Sequence, residues 1–209
     1  MLKPEEIEKR RKTFLQKGFE LFSGKSIEAV TLKEVADASG YGVATLYRYF
    51  TSKPRFLVEI SAWKWGEFFQ NNRKRRSAGT FEQMTAAEMF DHYLNIFLEV
   101  YRNHRPLLRF NQFFNVYIQS EPIEKNEMKE YLGLLKPVTD FFHIMYQKAL
   151  KDRTLNTDIS EEELLSVTLH LMLAVVTRYA VGLAFKSKDF DADKELEMQK
   201  EMVFKRFAG

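Results

Sequence analysis

Residues 31 to 53 read TLKEVADASGYGVATLYRYFTSK, and the spacing inside this stretch decides how the whole chain is read. Thr31 with Glu34 forms a capping box, in which hydroxyl and carboxylate each accept from a backbone amide that the start of a helix leaves without a partner. Ala36 is small where two helices must cross closely. Gly40, four residues on, is free to take the left-handed backbone that a sharp turn between helices requires. Leu46 lies ten residues after Ala36, placed to pack back between the two helices, with Val35 and Phe50 closing a small core. Ala44, Thr45 and Arg48 then fall on the opposite face. An ordinary pair of packed helices does not need turn, cap, packing and exposed residues at these separations all at once, so the stretch reads as a helix-turn-helix.

Outward from it, apolar residues recur at three and four, and no alternating run of strand length is bounded by turn residues, so the chain is predicted all-α. A first helix starts at Pro4, buries Ile7, Phe14, Leu15, Gly18 and Phe22 on one side, stops near Gly24 and has a basic opposite face. Ser52 caps a fourth helix that ends in the basic run Arg73 to Arg76, whose charges suit a helix C-terminus. Thr80 with Gln83 is a second capping box, opening a helix of Phe90, Tyr93, Leu94, Phe97 and Tyr101. Pro106 interrupts it, and a helix with Leu107, Phe110, Phe114 and Tyr117 follows to about Ser120, before Pro122. From near Asn126 to Lys151 a long helix turns Leu132, Leu135, Val138, Phe142, Met145 and Ala149 to a core, with a kink expected at Pro137. Ser160 with Glu163 opens the next helix, which runs to Lys186, and Asp191 or Asp193 opens the last. About nine helices result, in two parts: a domain of residues 1–52 and a larger helical domain of residues 53–209.

Composition narrows the chemistry. The 209 residues include no cysteine, which removes disulfides, thiolate metal sites and cysteine nucleophiles and makes cytoplasm the expected compartment. The acidic, amphipathic start from Met1 to Glu6 is unlike a secretory signal. Net charge is only +3, but residues 1 to 80 carry 16 Lys and Arg against 9 Asp and Glu. The N-terminal part is therefore the electropositive end, the footprint of a polyanion partner. Leu164 to Phe185 is apolar enough to raise the question of a membrane span, yet it contains Arg178, which costs about 2.5 to 3.5 kcal/mol near the middle of a span. No membrane partner is expected. His92, His104, His143 and His170 show neither HExxH nor a carboxylate partner at metal-ligand spacing, and phosphate-binding glycine loops and nucleophile elbows are missing. Glu161 to Glu163 suit a first helical turn. No enzyme activity, metal or cofactor is expected.

The stretch from Thr31 resembles the N-terminal signature of the tetracycline-repressor (TetR) family: a Thr-initiated helix, a Gly turn, then Thr-Leu-Tyr-x-Tyr-Phe-x-x-Lys, matched here by Thr31, Gly40 and Thr45 to Lys53. Gly42 departs from it, since the family usually places serine or a similar capping residue there. The resemblance implies a DNA-binding transcriptional regulator, most simply a repressor released from a palindromic operator by a small hydrophobic effector. It implies phosphate contacts from Thr31 and Lys53, and mixed phosphate and base contacts from Val43, Ala44, Thr45, Tyr47 and Tyr49. Helical phase adds Arg48, which can read guanine through a bidentate contact. Two other readings stay open: a DNA-binding protein without an effector, and a helical small-molecule or lipid carrier with a vestigial helix-turn-helix.

In the larger domain, a pocket, which the resemblance implies, would draw on Trp63, Phe90, Tyr93, Phe97, Phe113, Phe114, Tyr117, Phe142, His143 and Tyr146, although aromatics at helical spacing equally build a plain core. The helix from Ser160 is apolar on nearly every side, more than one domain core requires. A homodimer interface is expected through Leu171, Ala174, Val175, Arg178 and Gly182 of this helix with Leu196, Met202 and Val203 of the last, as an intersubunit four-helix bundle.

Overall fold

The computed structural model describes residues 3–74, 80–121, 128, 133, 135–186, 188 and 190–208. Ten helices lie among them: α1 (Pro4–Gly24), α2 (Leu32–Ala38), α3 (Val43–Tyr49), α4 (Lys53–Lys74), α5 (Thr80–Gln83), α6 (Ala86–Asn103), α7 (Arg105–Ser120), α8 (Lys136–Asp152), α9 (Glu161–Ala180) and α10 (Ala192–Phe207). The described residues contain no strand, only an isolated antiparallel bridge between Leu155 and Ala208. The chain divides into two compact units, residues 1–70 with 109–134 and residues 71–108 with 135–209.

In the first unit, Phe14, Leu15 and Phe22 of α1 meet Val35 and Ala36 of α2, Leu46 of α3, and Phe56, Leu57 and Ile60 of α4 in one core, which also takes in Phe110, Phe114 and Tyr117 of α7. Gly18 lets α1 approach α4: a Cβ there would lie 2.6 Å from Phe56 Cζ and 2.8 Å from Ile60 Cδ1. Glu59, nearly buried on α4, accepts from Arg55 Nε at 2.9 Å and from Arg11 of α1. Ile7, expected on the core side, is 42% exposed because it precedes the stretch of α1 that is covered.

In the second unit, α6 packs on α8, α9 and α10. Phe90, Tyr93, Leu94, Phe142, Met145, Leu164, Met172, Val176, Leu196 and Phe207 are buried there. A polar seam closes its edge: Arg102 reaches Asp193 at 2.7 Å and Glu197 at 2.8 Å, and Lys200 reaches Asp91 at 3.0 Å.

Several boundaries differ from expectation. The capping box of α6 is made by Thr85 and Glu88, and Thr80 to Gln83 is a separate single turn, which raises the described helices to ten. Pro137 stands in the first turn of α8 and not in its middle, where its missing amide costs nothing, so it causes no kink. Leu135, expected in a core, is 42% exposed at that helix start. The helix from Ser160 stops at Ala180, with Gly182 left-handed at φ 81. The expected features at Arg75, Arg76, Pro122, Asn126 and Leu132 lie outside the described residues.

Three capping boxes open α2, α6 and α9. The N-cap amides of Thr31 and Thr85 donate to Glu34 and Glu88 at 2.7 Å, and that of Ser160 donates to Glu163 at 3.0 Å. These bonds hold all three carboxyls below their ordinary value of 4.5, chiefly through the cap amide at Glu34 and Glu88 and the cap hydroxyl at Glu163. A depressed folded-state value means that the stabilisation is present above the ordinary value and lost as pH falls through the depressed one. The urea midpoint should therefore drop on acidification below about pH 4.5, and less steeply in a Glu34→Gln, Glu88→Gln, Glu163→Gln variant. Equal slopes in the two proteins would contradict this.

Candidate nucleic-acid interface

The turn between α2 and α3 is built as its residues require. Gly40 has φ 76, its amide bonds to Asp37 O and the Tyr41 amide to Ala36 O, both at 3.0 Å, closing α2 with its last carbonyls satisfied. Leu46 and Phe50 are fully buried, so α3 has one face locked into the core. The other face is presented to solvent: Ala44 and Arg48 are exposed, Tyr47 is 51% exposed, and Thr45 is half-buried. Arg48 Nη2 donates to Thr45 Oγ1 at 3.2 Å, one turn back on the same face. Val43 and Tyr49, also expected at the interface, are half-buried and pack against the core. Tyr49 lies 5.7 Å from the Phe14 ring.

Thr31 and Lys53, expected to contact phosphate, both donate hydrogen bonds inside the chain. The Thr31 hydroxyl donates to Glu34 Oε2 at 2.8 Å. The Lys53 ammonium donates to Ile27 O at 2.6 Å and Val30 O at 2.7 Å. Sequence reasoning also missed Arg10 of α1, whose guanidinium stands 5.3 Å over the Tyr41 ring beside the start of α3. It missed Arg11 on Glu59 as well. Neither pairing has a local spacing signal, because α1 meets these partners only through tertiary packing.

Gly42 is the N-cap of α3 and supplies no side-chain cap. Its φ is −73, open to any residue, and nothing lies within 4 Å of an added Cβ. Gly42→Ser should therefore add the missing cap, raising stability by a few tenths of a kcal/mol. Urea unfolding measures this, and a lowered midpoint would show that the site does not tolerate a hydroxyl.

The ten aromatic and histidine positions expected to line a pocket separate into groups. Trp63, Phe113, Phe114 and Tyr117 belong to the first unit, where Phe114 stacks on Phe110 at 5.9 Å and is fully buried. Phe90, Tyr93, Phe97 and Phe142 belong to the second. There Tyr93 meets Phe97 at 5.2 Å and Phe142 at 5.3 Å, edge to face, and burial pushes its phenol well above the ordinary tyrosine range. His143 and Tyr146 turn elsewhere. His143 is exposed with Nδ1 3.0 Å from Glu161 Oε2, and the Tyr146 hydroxyl donates to Ile159 O at 2.8 Å.

Of the residues expected between subunits, Leu171, Ala174, Arg178, Gly182 and Met202 are exposed and Val175 is half-buried. Leu196 and Val203 are buried within the chain itself, on the inner side of α10, which packs on α6. The outward apolar residues of α10 are Met198 and Met202, 56% and 71% exposed. Helix α9 is apolar enough to cross a membrane by length and composition, and only 28% of that window is buried. Among the described residues, no three His, Asp or Glu side chains converge on a possible metal position.

Residues 14–60 match the family model for bacterial regulatory proteins of the tetR family. No curated protein matches the chain. Among solved structures, the chain is similar to the fatty acid degradation regulator FadR of Bacillus halodurans, with 13% identity, a TM-score of 0.69 and coverage of 98% of this chain and 96% of that one. It is similar to the ketosteroid transcriptional regulator KstR2 of Mycobacterium tuberculosis, with 14% identity, a TM-score of 0.67 and coverage of 96% and 95%. A third is FadR of Bacillus subtilis in complex with stearoyl-CoA, with 13% identity, a TM-score of 0.68 and coverage of 92% and 96%. The chain thus has a TetR-like fold with an N-terminal helix-turn-helix domain, and the resemblance at Thr31 to Lys53 extends over residues 14–60.

Proposed function

We propose that the chain is a cytoplasmic, homodimeric transcriptional repressor that holds a palindromic operator through residues 1–52 and releases it when a small hydrophobic effector binds residues 53–209. The observation that carries this reading is the split of α3 into a face anchored by the buried Leu46 and a face presenting Ala44, Tyr47 and Arg48 to solvent. A helix held this way can enter a major groove without losing its core contacts. Ala44, with Val43 beside it, suits thymine methyl groups, and Arg48 suits the acceptor edge of guanine. The basic excess of residues 1–80 supplies the salt-dependent attraction to phosphate.

A dimer would set two such helices about one DNA turn apart. The outward faces of α9 and α10 would join the subunits. An effector lowers DNA affinity only by binding the DNA-incompetent state better, since equal affinity for both states shifts nothing. The stearoyl-CoA held by FadR of Bacillus subtilis makes a long-chain acyl thioester the first effector to try.

Selection of random duplexes by the purified protein tests the reading. Enrichment of a palindrome with half-sites about one turn apart is expected. No enrichment, with no binding even at low salt, would favour the carrier reading. A regulator without an effector is favoured by one observation: Phe90, Phe114 and Phe142 are 0% exposed and Tyr93 only 2%, as plain core residues would be. Titrated stearoyl-CoA that quenches Trp63 or Trp65 fluorescence and releases DNA argues against that second reading.

A further inference from the structure

Lys53 opens α4, yet its side chain turns inward. The ammonium donates to the carbonyls of Ile27 at 2.6 Å and Val30 at 2.7 Å, using two of its three donors. It also stands 5.6 Å from the Phe22 ring and 5.8 Å from the Tyr117 ring. Ile27 and Val30 are buried at 0% and 1% exposure, and both lie in the loop from α1 to α2. Val30 directly precedes Thr31, the N-cap of α2. Tyr117 sits on α7 and is itself only 7% exposed. Desolvation lowers the ammonium's proton affinity, while the charges of Glu28, Glu121 and Glu34 oppose that shift.

We infer that Lys53 serves DNA binding as a positioning residue: it pins the loop between α1 and α2, and with it the N-terminus of α2 and Thr31, while Tyr117 of α7 holds the pin in place. This rests on the DNA-binding reading above. Hydrogen bonds from a charged donor are the stronger kind, and two of them converge on a loop with no regular structure of its own. Displacing Tyr117 removes part of the ammonium's cover and weakens its hold on the loop, which Ile27 and Val30 otherwise anchor only by their buried side chains. A disturbance of α7 therefore has a route to α2 through the Lys53 side chain, beside the core that the two helices share.

Salt dependence separates a pin from a phosphate contact. Each phosphate neutralised contributes about −0.9 to the slope of log affinity against log salt, whereas a lost pin weakens binding and leaves the slope alone. The full-length chain, its Lys53→Met, Lys53→Arg and Tyr117→Leu variants, and the Lys53→Met, Tyr117→Leu double variant are titrated with a random-sequence duplex over a low-salt series. Hydrogen exchange of the DNA-free proteins follows the amides of Ala29, Val30 and Thr31, which are bonded to Ser26, Ile27 and Glu34.

Lys53→Met is expected to weaken binding about tenfold, the effect of one charge-assisted hydrogen bond, at unchanged slope and with faster exchange at the three amides. Tyr117→Leu moves both readouts the same way by less, and the double variant is no worse than Lys53→Met. Lys53→Arg, which keeps donors for both carbonyls, restores protection. A slope reduced by about one with loop protection unchanged would overturn the inference, as would a Tyr117→Leu variant indistinguishable from wild type. If Lys53→Met does not fold, Tyr117→Leu decides alone. Wild-type protein that binds no duplex even at low salt overturns the DNA-binding reading itself, and loop exchange then still reports whether Lys53 pins the loop.

Discussion

Gly18→Val is expected to lower the stability of the chain by about 3 kcal/mol or more, beyond the usual range for overpacking, and to shift the melting temperature down by roughly 6 to 12 °C. Two effects compete at this position. Replacing a mid-helix glycine improves helix propensity by up to about 1 kcal/mol for alanine and less for a β-branched residue. Against that, the first added carbon alone would sit 2.6 Å from Phe56 Cζ and 2.8 Å from Ile60 Cδ1. Phe56 cannot yield: it is fully buried, with the Phe50 ring 4.5 Å away and Phe22 6.3 Å away. Sterics therefore win, and the extra methyls of valine compound them. Gly66 of α4 is the matched control, because nothing lies within 4 Å of its added Cβ. Gly66→Ala should stabilise by up to about 1 kcal/mol. Urea unfolding of the two variants checks both signs, and a Gly18→Val midpoint equal to wild type would mean that α1 and α4 do not approach as described.

What the sequence makes legible here is whatever local chemistry determines alone. Thr31, Ser52 and Ser160 cap where their spacing to Glu34, α4 and Glu163 says they do. Gly40 takes the left-handed turn, and Leu46 sits at the centre of the core as its distance from Ala36 requires. Where two local solutions fit equally well, the choice was not legible. Thr80 with Gln83 and Thr85 with Glu88 both have capping-box spacing, and only the second caps a long helix. Pro137 is compatible with a kink or with a first turn, and apolar periodicity reads through both.

The candidate site divides along the same line. The solvent face of α3 follows from helical phase, because Leu46 fixes which side is buried. The destination of the Lys53 ammonium does not, since a flexible four-carbon stem can reach water or the carbonyls of Ile27 and Val30 with equal local cost. Those carbonyls stand 26 and 23 residues away in sequence, respectively. Leu196 and Val203 were likewise indistinguishable from Met198 and Met202 by composition. Only the packing of α10 on α6 decides which apolar stripe turns inward.

The outward stripe supports the second large expectation, that Leu171→Glu abolishes the proposed dimer and lowers operator affinity by about 10² to 10⁴-fold, the range lost when linked half-sites must be bound singly. Val167 and Leu171 of α9 are 50% and 47% exposed and Met198 and Met202 of α10 still more so, on helices that pack side by side. Two-fold symmetry would bring each residue of such a face opposite the same face of a second copy. A carboxylate at position 171 would then be buried twice, and none of Val167, Leu171, Met198 and Met202 offers a cation to offset its lost hydration. In the isolated chain the same carboxylate would sit in water, so the fold of the monomer should be untouched. Arg178, exposed two turns further along α9, is too far to neutralise position 171 of its own helix. Sedimentation equilibrium should find wild type at twice the chain mass and Leu171→Glu at the chain mass, with equal helicity by circular dichroism. A variant that remains dimeric would move the interface to another face and, with it, the spacing of the two α3 helices.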